Sequence, residues 1–205
     1  MGALAAGVGI LGGARAAVAR SGPRKILVVG DSLSAEYGLE RGAGWVNLID
    51  RRLGQQFPEY QIHNSSISGD TTSGGLSRFP SLLREHQPDI VILELGGNDA
   101  LRGLSLQMTR GNLDQMIQLA EKAGAQVLLV GMQIPPNYGK RYTESFKTLF
   151  PELAQENKVG LVPFLLEGIA TEPGYFQADG IHPNESAQPL LAENVWAHLG
   201  PMLAN

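Results

Sequence analysis

The sequence predicts an α/β fold in which a parallel β-sheet lies between two layers of helices. From Lys25 onward, short apolar runs alternate with amphipathic stretches, as they do in successive β-α-β units. The runs ILVV, IVILEL and VLLV are nearly continuous in apolar residues rather than alternating, which indicates strands that are covered on both faces. In such a sheet ligands bind beyond the carboxyl ends of the strands, so the loops that follow the strands are the first candidates for a site.

Each element of this fold can be placed along the chain. Apolar runs bounded by Gly, Pro, Asn or Asp predict strands over 26–29, 60–63, 90–94, 127–130 and 161–162. Apolar residues at helical spacing predict helices over 44–56, 74–86, 109–123, 142–157 and 185–199. No internal repeat or linker interrupts this alternation, so we expect one domain over residues 23–205.

The composition excludes several classes of function. The 205 residues include no cysteine, which rules out a disulfide framework, a thiolate nucleophile and a cysteine-rich zinc site. Lys and Arg number 16 against 20 Asp and Glu, without a long basic run, which argues against a nucleic-acid binder and against binding to an anionic membrane. We expect a small molecule or an apolar chain as ligand, and no stable membrane insertion; the oligomeric state cannot be read from the sequence.

Residues 1–22 differ in composition from the rest of the chain. They are mostly Ala, Gly, Val and Leu and contain an Ala-x-Ala sequence at 17–19, which is typical of a secretory signal, but they lack a basic beginning. We interpret them as a signal-like or flexible segment, which predicts a periplasmic or secreted protein, or a cytoplasmic one if the segment is not a signal. The G-x-G-x-x-G match at 7–12 is not a dinucleotide site, since too few residues precede it to form a strand.

Polar, glycine-containing loops follow the first three predicted strands. They read GDSLS at 30–34, NSSISGDT at 64–71 and GGND at 96–99, and a fourth cluster, DGIHP at 179–183, precedes the last helix. Because the carboxyl ends of parallel strands share one edge of a sheet, we expect the four clusters to converge there.

These clusters contain the groups that acyl transfer by an activated serine requires. Ser32 would be the nucleophile, His182 its general base, and Asp179 the carboxylate that orients the imidazole. The backbone N–H groups of Ser32 and Gly69 and the side-chain amide of Asn98 would form the oxyanion hole. Each residue also has a structural alternative: Ser32 as a helix N-cap, Gly69 as a turn glycine and Asn98 as an Asx-turn residue.

The same four clusters resemble the sequence blocks of the GDSL, or SGNH, hydrolase family. The blocks are GDSL at 30–33, GD at 69–70, GND at 97–99 and DGIH at 179–182, and they occur in the family order. The longer stretches ISGDT, LELGGNDALRG, IPPNYGKRY and ADGIHPN are similar to the bacterial acyl-CoA thioesterase I, lysophospholipase and arylesterase branch.

The resemblance implies a flavodoxin-like sheet of five parallel strands, no metal or other cofactor, and activity on acyl-CoA thioesters, lysophospholipids or aryl esters. It also suggests a role for the loop at 133–141, which follows the fourth predicted strand. This loop is either a proline-stiffened connection or a flap over the acyl chain, in which Ile134 and Tyr138 would bind substrate.

Two other functions remain as alternatives. Asp31, Asn98 and Asp99 loosely resemble the ligands of a metal-dependent phosphoesterase, although such sites draw on more histidines than this chain offers in loops. The fold could also serve as a non-catalytic binding module, against which the complete set of Ser32, Asp179 and His182 argues.

Overall fold

The computed structural model describes residues 22–204, which form five β-strands and six α-helices. All neighbouring strands pair in parallel, in the order β2-β1-β3-β4-β5. The strands are β1 (Arg24–Gly30), β2 (Tyr60–Asn64), β3 (Ile90–Glu94), β4 (Gln126–Val130) and β5 (Gly160–Val162). The helices are α1 (Trp45–Gln56), α2 (Thr72–His86), α3 (Gly97–Leu101), α4 (Leu106–Lys122), α5 (Lys140–Asn157) and α6 (Gln188–Leu203). The predicted α/β fold with a five-stranded parallel sheet is confirmed.

The core forms where the sheet faces meet the helices. The central strand β3 is buried along its whole length, as expected for a strand covered on both faces. On α1, the residues Trp45, Ile49 and Leu53 recur every four positions and are all buried, so that one stripe of this helix faces the sheet. Helix α1 packs against α6, and α4 packs against both α2 and α5.

The strand order reverses between β1 and β3, which are adjacent in the sheet although β2 separates them in sequence. In open α/β sheets such a reversal leaves a crevice beyond the carboxyl ends of the two strands, where ligands bind. The register pairs Gly30 at the end of β1 with Glu94 at the end of β3. The loops that contain Ser32 and Asn98 therefore leave the sheet side by side.

Helix boundaries are where the structure departs most from the predictions. Helix α5 begins at Lys140, so the last two residues of the predicted loop at 133–141 are helical, and α6 extends to Leu203, four residues beyond the predicted end at 199. Helix α2 begins two residues earlier than predicted because the side chain of Thr71 caps it by accepting a hydrogen bond from the Gly74 N–H. Helix α4 begins three residues early for the same reason, with Ser105 as its cap. At the other end of the chain, the predicted start at 185 is a 3-10 turn, Glu185–Ala187, that leads into α6.

The short helix α3 was not predicted at all, and it contains Asn98. Within residues 22–204 no helix is both long and apolar enough to cross a membrane. The signal-like segment predicted at 1–22 lies, apart from its last residue, outside the described residues.

Candidate active site

Three of the predicted site residues form a continuous chain of hydrogen bonds. The Ser32 Oγ lies 2.9 Å from the His182 Nε2, and the His182 Nδ1 lies 2.6 Å from the Asp179 Oδ2. Ser32 lies two residues beyond the end of β1 at Gly30, whereas the other two residues lie in the loop before α6, about 150 positions away. The imidazole is thus placed between a hydroxyl and a carboxylate, as a general base for the hydroxyl requires.

The Asp179 carboxylate also holds its own loop in shape. Its Oδ1 accepts hydrogen bonds from the backbone N–H groups of Ile181 at 2.9 Å and His182 at 3.0 Å. These bonds to the ionised form, led by the one from the His182 backbone, lower the pKa of Asp179 from 3.8 to about 2. Asp179 is therefore a carboxylate at neutral pH.

Neighbouring side chains fix the position of the histidine loop. Gln177 donates from its Nε2 to the Tyr37 carbonyl and the Pro183 carbonyl, and its backbone N–H donates to the His182 carbonyl. The Tyr37 ring packs against the imidazole, with ring centroids 4.4 Å apart. The His182 ring is thereby covered on one face and tied to the loop after β1.

The buried side chain of Asp31 fixes the loop that contains Ser32. Asp31 is 2% exposed, its Oδ1 accepts from the Leu33 N–H at 3.0 Å, and its Oδ2 accepts from the Asn98 Nδ2 at 2.9 Å. The buried Trp45 adds a further support, because its Nε1–H donates to the Leu33 carbonyl at 3.1 Å. These bonds leave Ser32 at the top of a turn that is anchored on both sides.

Asn98 lies in the first turn of α3, and one of its two amide N–H groups is not used in a hydrogen bond to Asp31. An Asn side chain carries two N–H donors, and the bond to Asp31 uses one of them. The next residue, Asp99, is fully buried and accepts hydrogen bonds from the Thr72 N–H, the Thr72 hydroxyl and the Thr109 hydroxyl. Asp99 thus joins α2 and α4 to α3, and it is a structural residue.

Gly69 occupies a turn with a φ of +79°, in the left-handed region that favours glycine. Its carbonyl accepts a hydrogen bond from the Arg102 guanidinium at 2.9 Å. Within residues 22–204, neither the Gly69 N–H nor the Ser32 N–H is assigned to an acceptor. Both groups are therefore available to donate to a ligand.

A second carboxyl group, Glu94, lies fully buried beneath the Ser32 loop. Its Oε2 accepts from the Ser34 hydroxyl at 2.7 Å and from the Asp31 N–H at 3.3 Å. Burial, and then the negative charge of Asp31, raise the pKa of Glu94 well above its usual range, whereas burial raises the pKa of Asp31 to about 6. Burial thus disfavours a negative charge on both carboxyl groups, and the charge of Asp31 disfavours it further on Glu94.

An open cavity of about 510 Å³ begins at the Ser32 hydroxyl. Of the predicted site residues, Ser32, Asn98, His182 and Ile134 line it, whereas Gly69, Tyr138 and Asp179 do not. Tyr138 is 39% exposed, in a 3-10 turn at Pro136–Tyr138. The apolar lining also includes side chains that the sequence did not indicate as site residues: Leu101, Met132, Phe164, Leu166, Ala170 and Phe176.

Some of these missed residues carried a usable signal. Phe164 and Leu166 follow β5 directly, so the rule that ligands bind beyond the strand ends would have indicated them as it indicated Ser32. Tyr37 and Gln177 carried none, because their contacts depend on how two distant loops meet. Among the described residues, no three His, Asp or Glu side chains are grouped so that they could hold a metal ion, so the metal-dependent alternative gains no support.

The comparison with known proteins decides the family. Residues 28–188 match the model of the GDSL-like lipase/acylhydrolase family. The chain belongs to this family. The resemblance seen in the sequence blocks is confirmed, and this acylhydrolase is an enzyme of the serine hydrolase class.

Relatives and a solved structure agree with this assignment. The acylhydrolase is 52% identical over 178 residues to the esterase TesA of Pseudomonas aeruginosa. The aligned residues cover 87% of this chain and 89% of the relative. It is 43% identical over 178 residues to the thioesterase 1/protease 1/lysophospholipase L1 of Escherichia coli K12, covering 87% of this chain and 84% of the relative. A crystal structure of TesA superposes with a TM-score of 0.84 at 51% identity, covering 87% of this chain and 99% of that one.

Proposed function

We propose that this acylhydrolase hydrolyses carboxylic esters and thioesters through an acyl-enzyme intermediate on Ser32. The observation that carries the proposal is the continuous chain of hydrogen bonds from Asp179 through His182 to Ser32, which ends at the cavity. A serine hydroxyl is a weak nucleophile until a neutral imidazole takes its proton, and this geometry provides that imidazole.

In the first half of the reaction, the Ser32 Oγ attacks the acyl carbonyl carbon while the His182 Nε2 takes the hydroxyl proton. The imidazolium that forms is stabilised by Asp179, which accepts the hydrogen bond of the Nδ1–H at 2.6 Å. The tetrahedral intermediate then collapses, the bond to the leaving alcohol or thiol breaks, and His182 gives its proton to that leaving group. Ser32 is left as an ester.

The negative charge on the substrate oxygen is stabilised by three donors. The Ser32 N–H and the Gly69 N–H have no other assigned acceptor among the described residues, and the Asn98 amide has one N–H beyond the bond to Asp31. Each such donor lowers the barrier by about 2.7–4 kcal/mol, so that losing one reduces kcat by roughly 10²–10³-fold.

In the second half, a water molecule takes the place of the leaving group. His182 removes its proton, the hydroxide oxygen attacks the acyl carbonyl, and the bond to the Ser32 Oγ breaks. His182 returns the proton to Ser32, and the carboxylic acid leaves. No atom or electron has to come from a cofactor.

The cavity supports an apolar acyl group as the part of the substrate that is bound. Its walls carry Leu, Met, Ile and Phe side chains next to Ser32, and apolar walls with a few polar groups are typical of small-molecule sites. The names of the relatives add esterase, thioesterase and lysophospholipase activities. We therefore infer acyl-CoA thioesters, lysophospholipids or aryl esters as the substrate class, the aryl esters because one relative is named an arylesterase.

The decisive experiment compares Ser32→Ala with Ser77→Ala. Ser77 is an exposed serine on α2, and its hydroxyl bonds only within that helix. With p-nitrophenyl butyrate as substrate, S32A is expected to fold normally and lose at least about 10³-fold in kcat, whereas S77A keeps wild-type activity. A fluorophosphonate probe should label the wild type and S77A at Ser32 and leave S32A unlabelled. Full activity in S32A would refute the proposal.

Ile134 and Tyr138 are proposed to cover the bound acyl chain. Ile134 supports this role because it lines the cavity, and Tyr138 lies four residues further along the same loop. If the loop acts as a flap, Ile134→Ala and Tyr138→Ala raise KM for long-chain esters and leave kcat for the acetyl ester unchanged. If both variants keep the wild-type KM for long-chain esters, the result would instead favour a simple connecting loop.

We also propose that residues 23–205 form the mature domain and that the protein is exported to the periplasm or secreted. The support is the signal-like composition of residues 1–22. Mass spectrometry of the mature N-terminus in separated cell fractions tests this. An intact Met1 in the cytoplasmic fraction would contradict export.

A further inference from the structure

A buried carboxyl group that the mechanism does not use contacts the Ser32 loop. Glu94 is 0% exposed at the end of β3, and its Oε2 accepts both the Ser34 hydroxyl and the Asp31 N–H. Its Oε1 is also buried and has no hydrogen-bond partner. A carboxylate placed this way would be costly, because the orphaned oxygen would carry charge in a region that water does not reach.

A neutral Glu94 reduces this cost. With the proton on Oε1, Oε2 continues to accept its two hydrogen bonds, and the unpaired atom becomes part of an uncharged hydroxyl, which is less costly to bury. The nearest ionisable group is Asp31, whose negative charge further disfavours a second charge at Glu94. Two other groups act on Asp31: His182 lowers its pKa, and Asp70 raises it.

Asp31 connects this buried acid to the proposed oxyanion hole. The Asp31 backbone N–H bonds to Glu94, while its side-chain Oδ2 accepts from the Asn98 amide at 2.9 Å. This bond to the Asp31 carboxyl group uses one of the two N–H donors of the Asn98 amide. The orientation of the Asn98 amide, and hence of its free N–H, therefore depends on where Asp31 is held.

We propose that Glu94 is a positioning residue for the oxyanion hole: as a neutral buried acid it anchors Asp31 and Ser34, and Asp31 in turn orients Asn98. The proposal rests on the proposed function, because it assigns Glu94 an effect on catalysis only through Asn98. Glu94 does not line the cavity. Its effect is on kcat rather than on substrate binding.

The test is a double-mutant cycle between Glu94 and Asn98 with p-nitrophenyl butyrate as substrate. Glu94→Ala is expected to lower kcat by on the order of 10–100-fold, as loss of a supporting hydrogen-bond partner does, with KM within about threefold of wild type. Asn98→Ala alone lowers kcat by roughly 10²–10³-fold. If Glu94 acts through Asn98, the double variant is no more than about threefold slower than N98A. Effects that multiply would overturn the proposal.

Glu94→Gln tests the protonation state. Glutamine is isosteric with a neutral glutamic acid and keeps a carbonyl oxygen to accept from Ser34 and Asp31, so E94Q should restore kcat to within about threefold of wild type. An E94Q variant as slow as E94A would refute the neutral acid. As a matched control, Glu85→Gln on the exposed face of α2 leaves kcat unchanged.

A variant that does not fold, and a failure of the proposed function itself, must be distinguished from a failure of the role of Glu94. If E94A does not fold, Glu94→Met takes its place in the cycle, since methionine fills a similar volume without offering an acceptor. Ser32→Ala is measured in parallel. Activity in S32A would defeat the proposed function itself, whereas an inactive S32A together with multiplicative effects would defeat only the role of Glu94.

Discussion

Asp179→Asn should be more harmful to catalysis than Asp179→Ala, although asparagine is the closer substitute. The Asp179 Oδ1 accepts from two backbone N–H groups, those of Ile181 and His182, and only an oxygen can keep that place. In D179N the amide oxygen must stay there, so the NH₂ group takes the position of Oδ2 and faces the His182 Nδ1. The Nδ1 then has to accept a hydrogen bond, and the ring proton moves to Nε2.

A proton on Nε2 removes the general base. His182 would donate to the Ser32 Oγ instead of accepting from it, and the hydroxyl would keep its proton. In D179A nothing forces this tautomer, because alanine offers neither a donor nor an acceptor to Nδ1. The alanine variant loses the carboxylate and the loop contacts but keeps a histidine that can act as a base.

The size of the effect follows from the exposure of Asp179. A forced wrong tautomer lowers kcat by about 10⁴-fold where the triad carboxylate is buried. Here the Asp179 side chain is 38% exposed, so water already screens part of its effect on the imidazolium. We therefore expect a loss of about 10³-fold for D179N, equivalent to roughly 4 kcal/mol of barrier, and a loss of about 10²-fold for D179A.

The measurement is kcat for p-nitrophenyl butyrate in wild type, D179A and D179N at one pH near 8, with thermal unfolding to confirm that each variant is folded. If kcat decreases from wild type to D179A to D179N, the result supports the inference that the two backbone N–H groups hold the amide oxygen in place and turn the NH₂ group towards His182. D179N within tenfold of wild type, or faster than D179A, refutes it.

Three further predictions concern the turn, the cavity and acid stability. Gly69→Ala places a side chain at a φ of +79°, which costs about 1–2 kcal/mol and should lower Tm by about 3–6 °C. The cost is one of backbone conformation and not of space, because the nearest neighbour of the new Cβ is Arg102 at 3.8 Å. An unchanged Tm would contradict this. Ala170→Phe fills part of the cavity, so kcat/KM for an octanoyl ester should fall at least about tenfold more than for the acetyl ester, and equal losses would place the acyl chain elsewhere. Because the pKa of Asp179 is lowered from 3.8 to about 2, its contribution to stability is present above pH 3.8 and is lost as the pH falls towards 2. The free energy of unfolding, measured with urea between pH 2 and 6, should therefore decrease less steeply with falling pH in D179N than in the wild type. The same pH dependence in both proteins would contradict this.

The parts of the site that the sequence predicted are those that depend on local rules. Ser32 lies two residues after β1 and Asn98 lies four residues after β3, so the strand-end rule by itself places both at one edge of the sheet. Asp179 and His182 lie three residues apart, so a single loop can present both. The family blocks point to the same side chains, and the structure brings Ser32, Asp179 and His182 into hydrogen-bond contact.

The parts that the sequence did not predict depend on contacts between distant segments. Helix α3 is only five residues long and begins at a glycine, so it has too few positions to show a helical period. It forms because Asp99 is buried where the Thr72 N–H and two threonine hydroxyls need an acceptor. That requirement arises from the packing of α2 and α4, which no window of local sequence contains.

Gly30 illustrates the same distinction within the most recognisable block. The sequence places Gly30 in the loop after the first predicted strand, but in the structure it still belongs to β1, and it is not among the described residues with a positive φ. A Cβ at this position would lie 2.7 Å from the Glu94 Oε2 and 2.7 Å from the Ser34 Oγ. Glycine is therefore needed here for space and not for backbone freedom: it makes room for the carboxyl group that is buried beneath the nucleophile. The register that pairs Gly30 with Glu94 is what places the two together, so the requirement for glycine at 30 and the proposed role of Glu94 follow from one tertiary contact.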